Sequence, residues 1–466
     1  MRDGVRERMA TSLRKGNGVS RGTVQLQLPN SGNNGNGSSS FRDPAFGENK
    51  HLPVHRWVPW IAGFSAGFVD DVISTYIGPK SKGTVLDPFC GVGTTLLQAI
   101  LRGHKAIGFE INPYAALACR AKLTASRVDL AELDGAIALL ESSCKGWKNG
   151  SAPSRVLPPP LKSRIPFLSP NVERQALHAV AFLNSLDSAS LSDLCRLAFG
   201  AILVGISNYS YEPSLTSRPA AGKSLIMDAD VAQVLIGKLR QMRSDITWLR
   251  QEMNGKKPGK AEIVNADFFQ GQHSLKTGSI DLVVTSPPYM NNYHYVRNSR
   301  PHLYWLSFVT SPRQQRYLEV GNFGQYWQTV RDADPLSLVF RHPTSESIVE
   351  QLREIRIEHG AYGGSGWANY VVAYLNDCYR FMGILRRVLR RGGTAVIVIG
   401  NSIIQGLNVQ TQSILSEIGE MQGLKTSGVH CVREKRVGAS ITQSSVRRGA
   451  HTSAQLAEFA VIVRKK

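Results

Sequence analysis

Two short stretches of this chain combine residue types in an order that suggests chemistry. The first is Asp87-Pro88-Phe89-Cys90-Gly91-Val92-Gly93-Thr94-Thr95, which follows the apolar run Gly83-Thr84-Val85-Leu86. Two glycines two positions apart at the end of a buried strand permit a sharp turn and a close approach of backbone to ligand. A helix starting there adds unpaired N–H groups. Glu110, about 20 residues further on, closes the next apolar run, where an acidic side chain accepts hydrogen bonds from ribose hydroxyls. Thr94 and Thr95 break the spacing that brings a pyrophosphate onto the helix, so an adenosine ligand without phosphates fits better than a dinucleotide. The second stretch is Ser286-Pro287-Pro288-Tyr289, directly after Asp281-Leu282-Val283-Val284-Thr285. Consecutive prolines fix the backbone past a strand end and turn carbonyls outward as acceptors. With the Ser286 hydroxyl and the Tyr289 ring, these are the parts that hold a planar base bearing an exocyclic amine.

Placing those residues together requires strands that end side by side. The chain supplies a helix near Trp60–Ile73, strands at Gly83–Leu86 and Ala106–Phe109, and a helix from Leu96 to Arg102 between them. This is the opening of a doubly wound α/β unit. Further strands are expected at Glu262–Val264 and Ile280–Val284, the former followed by Asn265-Ala266-Asp267. Glu110 and Glu262 lie much further apart than a crossover helix and short loops need, so material is inserted there. It holds a proline-rich linker and helical stretches near 172–186, 191–206 and 229–253. A second insertion, 311–365, is polar and aromatic without clear periodicity. A helix from Trp367, a strand at Thr394–Ile399, a helix at Ile414–Met421 and two closing strands complete the chain. The expected organisation is a disordered basic arm (1–48), the cofactor-binding part of the core (51–120), a helical insertion suited to target recognition (121–260), the catalytic part of the core (261–310), the second insertion (311–365) and the C-terminal part of the core (366–466).

Composition limits what this core can serve. Of 466 residues, 55 are Lys or Arg and 35 Asp or Glu, a net charge of +20, and polyanions are the natural partners of such a surface. No run reaches the length of a membrane span and the N-terminus lacks the apolar core of a secretory signal, so a soluble cytoplasmic protein is expected. The six cysteines form no CxxC pair, which argues against a metal site and a disulfide framework.

Together, the 87–95 turn, the run Gly108-Phe109-Glu110-Ile111-Asn112-Pro113-Tyr114-Ala115 and Thr285–Tyr289 resemble the amino-methyltransferases that act on exocyclic nitrogens of nucleic-acid bases, in particular the DNA cytosine-N4 branch, which favours serine before PPY. The resemblance implies a Rossmann-like α/β fold, a mostly parallel sheet ending in an antiparallel strand pair, with a largely helical insertion. It implies S-adenosyl-L-methionine as cofactor, held by Asp87, Phe89, Gly91, Gly93 and Thr94, with Glu110 on the ribose and Asp267 beside the adenine. Ser286, Pro287, Pro288 and Tyr289 take the catalytic positions, and no metal is required. The helix before the turn resembles the family's methionine-side element. Double-stranded DNA is the implied substrate, methylated at a specific site as in restriction-modification, where a cognate restriction endonuclease is the partner. Here the cofactor turn precedes PPY, whereas many members with this turn place it after, and serine also precedes PPY in some adenine-N6 enzymes. DNA adenine-N6 methylation is therefore the alternative, followed by RNA methylation and by a catalytically silent DNA-binding protein that keeps the fold.

Further residues are candidates for DNA contact. Arg297 and Arg300 lie in the aromatic and basic segment Asn291–His302, just after the catalytic loop, and Asn208–Lys223 has a similar composition within the first insertion. Arg436, Arg447 and Arg448, in the loop Arg433–Arg448, are expected to contact phosphates. Arg386, Arg387, Arg390 and Arg391 are expected to do no more than complement a helix end. Cys90 is read as a small apolar residue rather than a nucleophile.

Overall fold

The computed structural model describes residues 41–60, 63–78, 81–148, 150, 152–212, 214–290, 294–354, 366–435 and 456–466. The elements run α1 (Ala66–Tyr76), β1 (Thr84–Asp87), α2 (Thr94–Leu101), β2 (Lys105–Phe109), α3 (Pro113–Thr124), α4 (Leu130–Ser143), α5 (Pro170–Asn184), α6 (Ala189–Leu203), β3 (Tyr209–Tyr211), β4 (Leu215–Ser217), α7 (Val231–Met253), β5 (Ala261–Val264), α8 (Phe268–Gly271), β6 (Ile280–Thr285), α9 (Tyr295–Trp305), α10 (Pro312–Val320), α11 (Trp327–Val330), α12 (Pro343–Glu354), α13 (Gly366–Val388), β7 (Leu389–Gly400), β8 (Ser402–Ile404), β9 (Leu407–Val409), α14 (Thr411–Met421), β10 (Leu424–Lys435) and β11 (Leu456–Lys465).

Seven strands form one sheet in the order β10-β11-β7-β6-β1-β2-β5. The β5, β2, β1, β6 and β7 strands are mutually parallel, whereas β11 runs antiparallel to both β7 and β10. Strand order reverses between β1 and β6, so a crevice opens at their carboxyl ends, the place where open α/β sheets bind ligands. Both faces of the sheet are covered, which is why β1 and β6 read as nearly continuous apolar runs. No helix among the described residues is long and apolar enough to cross a membrane.

The crossover from β2 begins with α3, whose start is encoded locally. Asn112 caps it by accepting the Tyr114 N–H at 3.1 Å, and Pro113 occupies the first turn, where its missing donor costs nothing. The rest of the insertion is helical. Buried Val231, Leu235, Leu239, Met242, Ile246 and Leu249 give α7 an apolar stripe that packs against α4, α5 and α6. That helix also carries Asp245, whose buried carboxylate accepts the Val54 N–H (2.9 Å), the Trp57 indole N–H (3.0 Å) and the Arg56 guanidinium. It thereby fastens the segment that leads to Trp60 onto the helical insertion.

Some expectations need correction. Residues 41–48, assigned to the basic arm, pack instead: Arg42 pairs with Asp71 at 2.8 Å, and Phe46 is buried. Their few anchors are isolated in sequence, so the Asn/Ser/Gly tract masks them. The second insertion, aperiodic by eye, forms α10, α11 and α12, elements too short to show a period. Of the arginines near the end of α13, Arg387 donates to the carbonyls of Leu275 (2.8 Å) and Gln272 (2.9 Å), and Arg390 pairs with Asp281. They tie α13 and β7 to β6 and the segment before it, a tertiary role that the helix-end argument did not foresee.

Candidate active site

The turn after β1 is shaped by its glycines. Gly91 (φ +51°) and Gly93 (φ +83°) both adopt left-handed backbone. A Cβ on Gly93 would stand 2.5 Å from the Cys119 Sγ of α3, and one on Gly91 would stand 3.2 Å from the Trp60 Nε1. The first glycine therefore lets Trp60 lie close over the turn, while the second lets the turn pack against α3. Thr94 then opens α2.

Three acidic side chains gather near the strand ends. Asp87 is buried, accepts the Phe89 N–H at 3.1 Å and takes the Thr285 hydroxyl at 2.7 Å, joining the end of β1 to that of β6. Burial pushes its pKa up to about 6 against those donors. Glu110 accepts the backbone N–H groups of Gly91 and Asn112, each at 2.8 Å, and burial raises it to about 7. Asp267 caps α8 by accepting the Phe269 N–H at 3.0 Å and is also raised, chiefly by burial.

These groups line one cleft of about 960 Å³, counting its open mouth. Of the residues singled out in the sequence, Asp87, Phe89, Gly91, Thr94, Glu110, Asp267, Ser286 and Pro288 face it. Gly93, Pro287 and Tyr289 do not line it. Gly93 acts by packing, and Tyr289 lines a smaller adjoining cavity of about 440 Å³ with Ser286, Phe46, Phe64, Arg433 and Glu458. Ser286, Gly63 and Phe64 line both spaces, so the loop after β6 stands between them.

That loop is firmly held. Tyr374 on α13 donates to the Pro288 carbonyl at 2.9 Å, and the Ser402 hydroxyl donates to that of Met290 at 2.7 Å. The Tyr289 ring packs on Gly400, where a Cβ would approach it to 3.1 Å. Burial drives the Tyr289 phenol well above its ordinary range. Burial likewise raises the Cys90 thiol, which makes it a poor nucleophile.

The sequence reading missed Trp60, Asn322 and Phe323 as cleft residues. Phe323 touches Phe89 (5.1 Å between ring centres) and Tyr374 (5.5 Å) edge-on, and it comes from the second insertion. The sequence signal was Gly324, whose φ of +72° and close approach to Tyr374 make it a required turn. Among the DNA-contact candidates, Arg297 is exposed on α9, whereas Arg300 is half-buried, its Nε without a partner among the described residues. Much of their segment packs inward: His294 stacks on Tyr326 at 3.8 Å, and Asn298, Ser299 and His302 are buried. Asn208 is likewise structural, since its side chain donates to the Pro166 carbonyl at 3.1 Å. Arg436, Arg447 and Arg448 lie outside the described residues.

A sheet of this order, with a glycine turn after its first strand and an acid after the second, is the Rossmann-like methyltransferase fold. Residues 35–119, which include the turn and Glu110, match the model of the N6/N4 methyltransferase family, described as DNA methylase. The chain is 24% identical over 437 residues to the type II methyltransferase M.BsoBI of Geobacillus stearothermophilus, covering 84% of this chain and 82% of that one. It is 22% identical over 414 residues to M.AvaI of Anabaena variabilis (84% and 83%) and 23% identical over 360 residues to M.MvaI of Kocuria varians (74% and 76%). Among solved structures, an rRNA methyltransferase of Streptomyces viridochromogenes covers 91% of both chains at 11% identity, with a TM-score of 0.27, too low to bear on the fold. The sequence likenesses support a DNA methyltransferase.

Proposed function

We propose that this chain is a DNA methyltransferase that transfers a methyl group from S-adenosyl-L-methionine to N4 of cytosine at a specific site in double-stranded DNA, as restriction-modification enzymes do. One observation carries the reading: Glu110, Ser286 and Pro288 line the same cleft, so a cofactor held on the glycine turn would lie against the loop that holds the base.

The donors and acceptors present fit the cofactor. Glu110, fixed by two N–H groups, keeps acceptor capacity for ribose hydroxyls. Asp267, Phe89 and Phe323 would enclose the adenine, and Gly91, Trp60 and Thr94 would adjoin the methionine end. When bound, S-adenosyl-L-methionine supplies a methyl group already activated on a positively charged sulfur. The chain's own residues do the rest. The Ser286 hydroxyl and the Pro287 carbonyl would accept the N–H groups of the base amine, favouring the pyramidal nitrogen whose lone pair can attack, and the methylated amine would then release one of those protons to solvent. The base, turned out of the duplex, stacks on Tyr289 in the cavity that Ser286 and Tyr289 line. Arg297, Arg300, Arg436, Arg447 and Arg448 would position the duplex through its phosphates.

Serine at position 286 is what favours cytosine over adenine in this reading. The test is methyl transfer to DNA by the wild-type protein and by Ser286→Ala. The variant should bind cofactor normally and transfer poorly, and a wild-type protein that transfers nothing to DNA would refute the assignment.

A further inference from the structure

A separate cavity of about 970 Å³, counting its open mouth, lies across Trp60 and Tyr295 from the cofactor cleft, since both residues line both spaces. The core provides one wall, Tyr114 of α3 and α9. The insertion provides the other, Tyr209, Ser210 and Tyr211 of β3 together with Arg218. The β3–β4 hairpin is docked on α9, the helix that follows the catalytic loop: the Tyr211 hydroxyl donates to the Asn298 carbonyl at 3.0 Å, and the Leu215 N–H donates to the Asn298 side chain at 2.8 Å.

Two side-chain hydroxyls lining this space, those of Tyr114 and Ser210, are buried without a hydrogen-bond partner among the described residues. Tyr114 is only 1% exposed, and its ring is held by stacking on His302 at 4.2 Å and by Gly200, where a Cβ would stand 2.6 Å from it. Buried hydroxyls are nearly always paired, so two orphans in one cavity point to an occupant that pairs them. Flat aromatic walls accept a planar ring, hydroxyls that can donate or accept suit a heteroaromatic edge, and a guanidinium suits an attached phosphate. A nucleotide has all three features.

We propose that this cavity holds a second nucleobase of the bound DNA, unstacked from the duplex and distinct from the base undergoing methylation. Its ring lies against Tyr209, Tyr211 and Trp60, its polar edge meets the hydroxyls of Tyr114 and Ser210, and its phosphate meets Arg218. The proposal rests on the DNA-methyltransferase reading. DNA rather than a free nucleoside is favoured because the walls join the insertion to the helix leaving the catalytic loop, on a chain of net charge +20.

The test uses the full-length protein and duplexes carrying 5-iodo-2′-deoxyuridine at randomised positions, irradiated and mapped by peptide mass spectrometry. Crosslinks should appear on the peptide containing Tyr209–Tyr211 as well as on that containing Ser286–Tyr289. The double variant Tyr114→Phe with Ser210→Ala keeps every ring and removes only the two orphan hydroxyls. It should raise the KM for DNA about tenfold, in line with two lost hydrogen bonds, while leaving kcat and cofactor affinity unchanged. The Tyr209–Tyr211 crosslink should also be lost. Crosslinks confined to Ser286–Tyr289, or an unchanged KM in the double variant, would overturn the proposal. So would labelling by free 5-iodo-2′-deoxyuridine with none from the duplex, which would assign the cavity to a free nucleoside. Failure of the wild-type protein to methylate any DNA would strike the enzymatic reading instead, while the crosslink map would still report on the cavity.

Discussion

The Glu110 carboxylate accepts the Gly91 N–H at 2.8 Å and so ties the end of β2 to the glycine turn after β1. Its other oxygen takes the Asn112 N–H, which leads into α3. One side chain thus sets the relation of three elements and presents an acceptor to the cleft. Glu110→Ala should weaken S-adenosyl-L-methionine binding by about tenfold or more, the worth of a hydrogen bond to a charged group. Gly91→Asp should do the same by forcing a side chain into left-handed backbone against Trp60. Calorimetry measures both, and unchanged affinity in the two variants would remove the cofactor assignment.

Glu110 also predicts a pH dependence. Burial lifts its folded-state pKa from the ordinary 4.5 to about 7, so the folded protein holds this proton more tightly than the unfolded chain. The associated stability is complete below about pH 4.5 and is lost as pH rises through 7. The Tm of the wild type should therefore fall as pH rises from about 4.5 through 7, and Glu110→Gln, whose amide nitrogen cannot accept the second N–H, should lower Tm at pH 4.5 and remove that pH dependence. Cofactor affinity should run the other way, rising in the wild type through pH 7 as the acceptor ionises and staying flat in the variant. Thermal melts and titrations across this range check both signs.

The loop after β6 is expected to act on the reacting base rather than on the cofactor. Ser286→Ala and Tyr289→Ala should lower the rate of methyl transfer by roughly 10–1,000-fold, the usual cost of one contact made in the transition state, with much smaller effects on cofactor affinity. Single-turnover kinetics at saturating cofactor separate the two. Full activity in both variants would dismiss this loop as the catalytic element.

Asp245 lies far from the chemistry in sequence yet anchors the approach to Trp60. Its carboxylate is only 1% exposed, so Asp245→Ala would leave Arg56 unpaired and two N–H donors without their acceptor. Arg56 is 31% exposed and can be hydrated, so the cost is mainly that of the two buried donors left unpaired, about 1–3 kcal/mol each. Denaturant unfolding should show a loss of that order, and the free variant should bind cofactor more weakly because Trp60 lies over Gly91. Stability within experimental error of wild type would contradict the anchoring role.

Elements with a single strong pattern were legible before any coordinates. The strands carrying Val85, Ile107 and Val283 are short apolar runs closed by Asp87, Glu110 and the Ser286 loop, so both their type and the ends that border the cleft could be read from composition and spacing. Long α7, with one buried stripe, and α13, buried on every side from Gly366 to Leu375, were likewise evident as helices. Contacts made by isolated residues were not legible. Phe323 reaches the cleft from a segment without periodicity, and Tyr374 reaches the Pro288 carbonyl from the middle of a helix whose pattern says only that it is buried. The role of Arg387 and Arg390 as ties to β6 and the segment before it depends on partners more than 100 positions away, which no local rule can supply.

The most direct test of the central claim is the identity of the methylated nucleoside. DNA should be incubated with the purified protein and S-adenosyl-L-methionine labelled in its methyl group, digested to nucleosides and separated by liquid chromatography with mass detection. The account predicts label in N4-methyl-2′-deoxycytidine, formed roughly 10–1,000-fold more slowly when Ser286→Ala replaces the wild-type protein. Label in N6-methyl-2′-deoxyadenosine would overturn the choice of base, and no label in DNA would contradict the account as a whole.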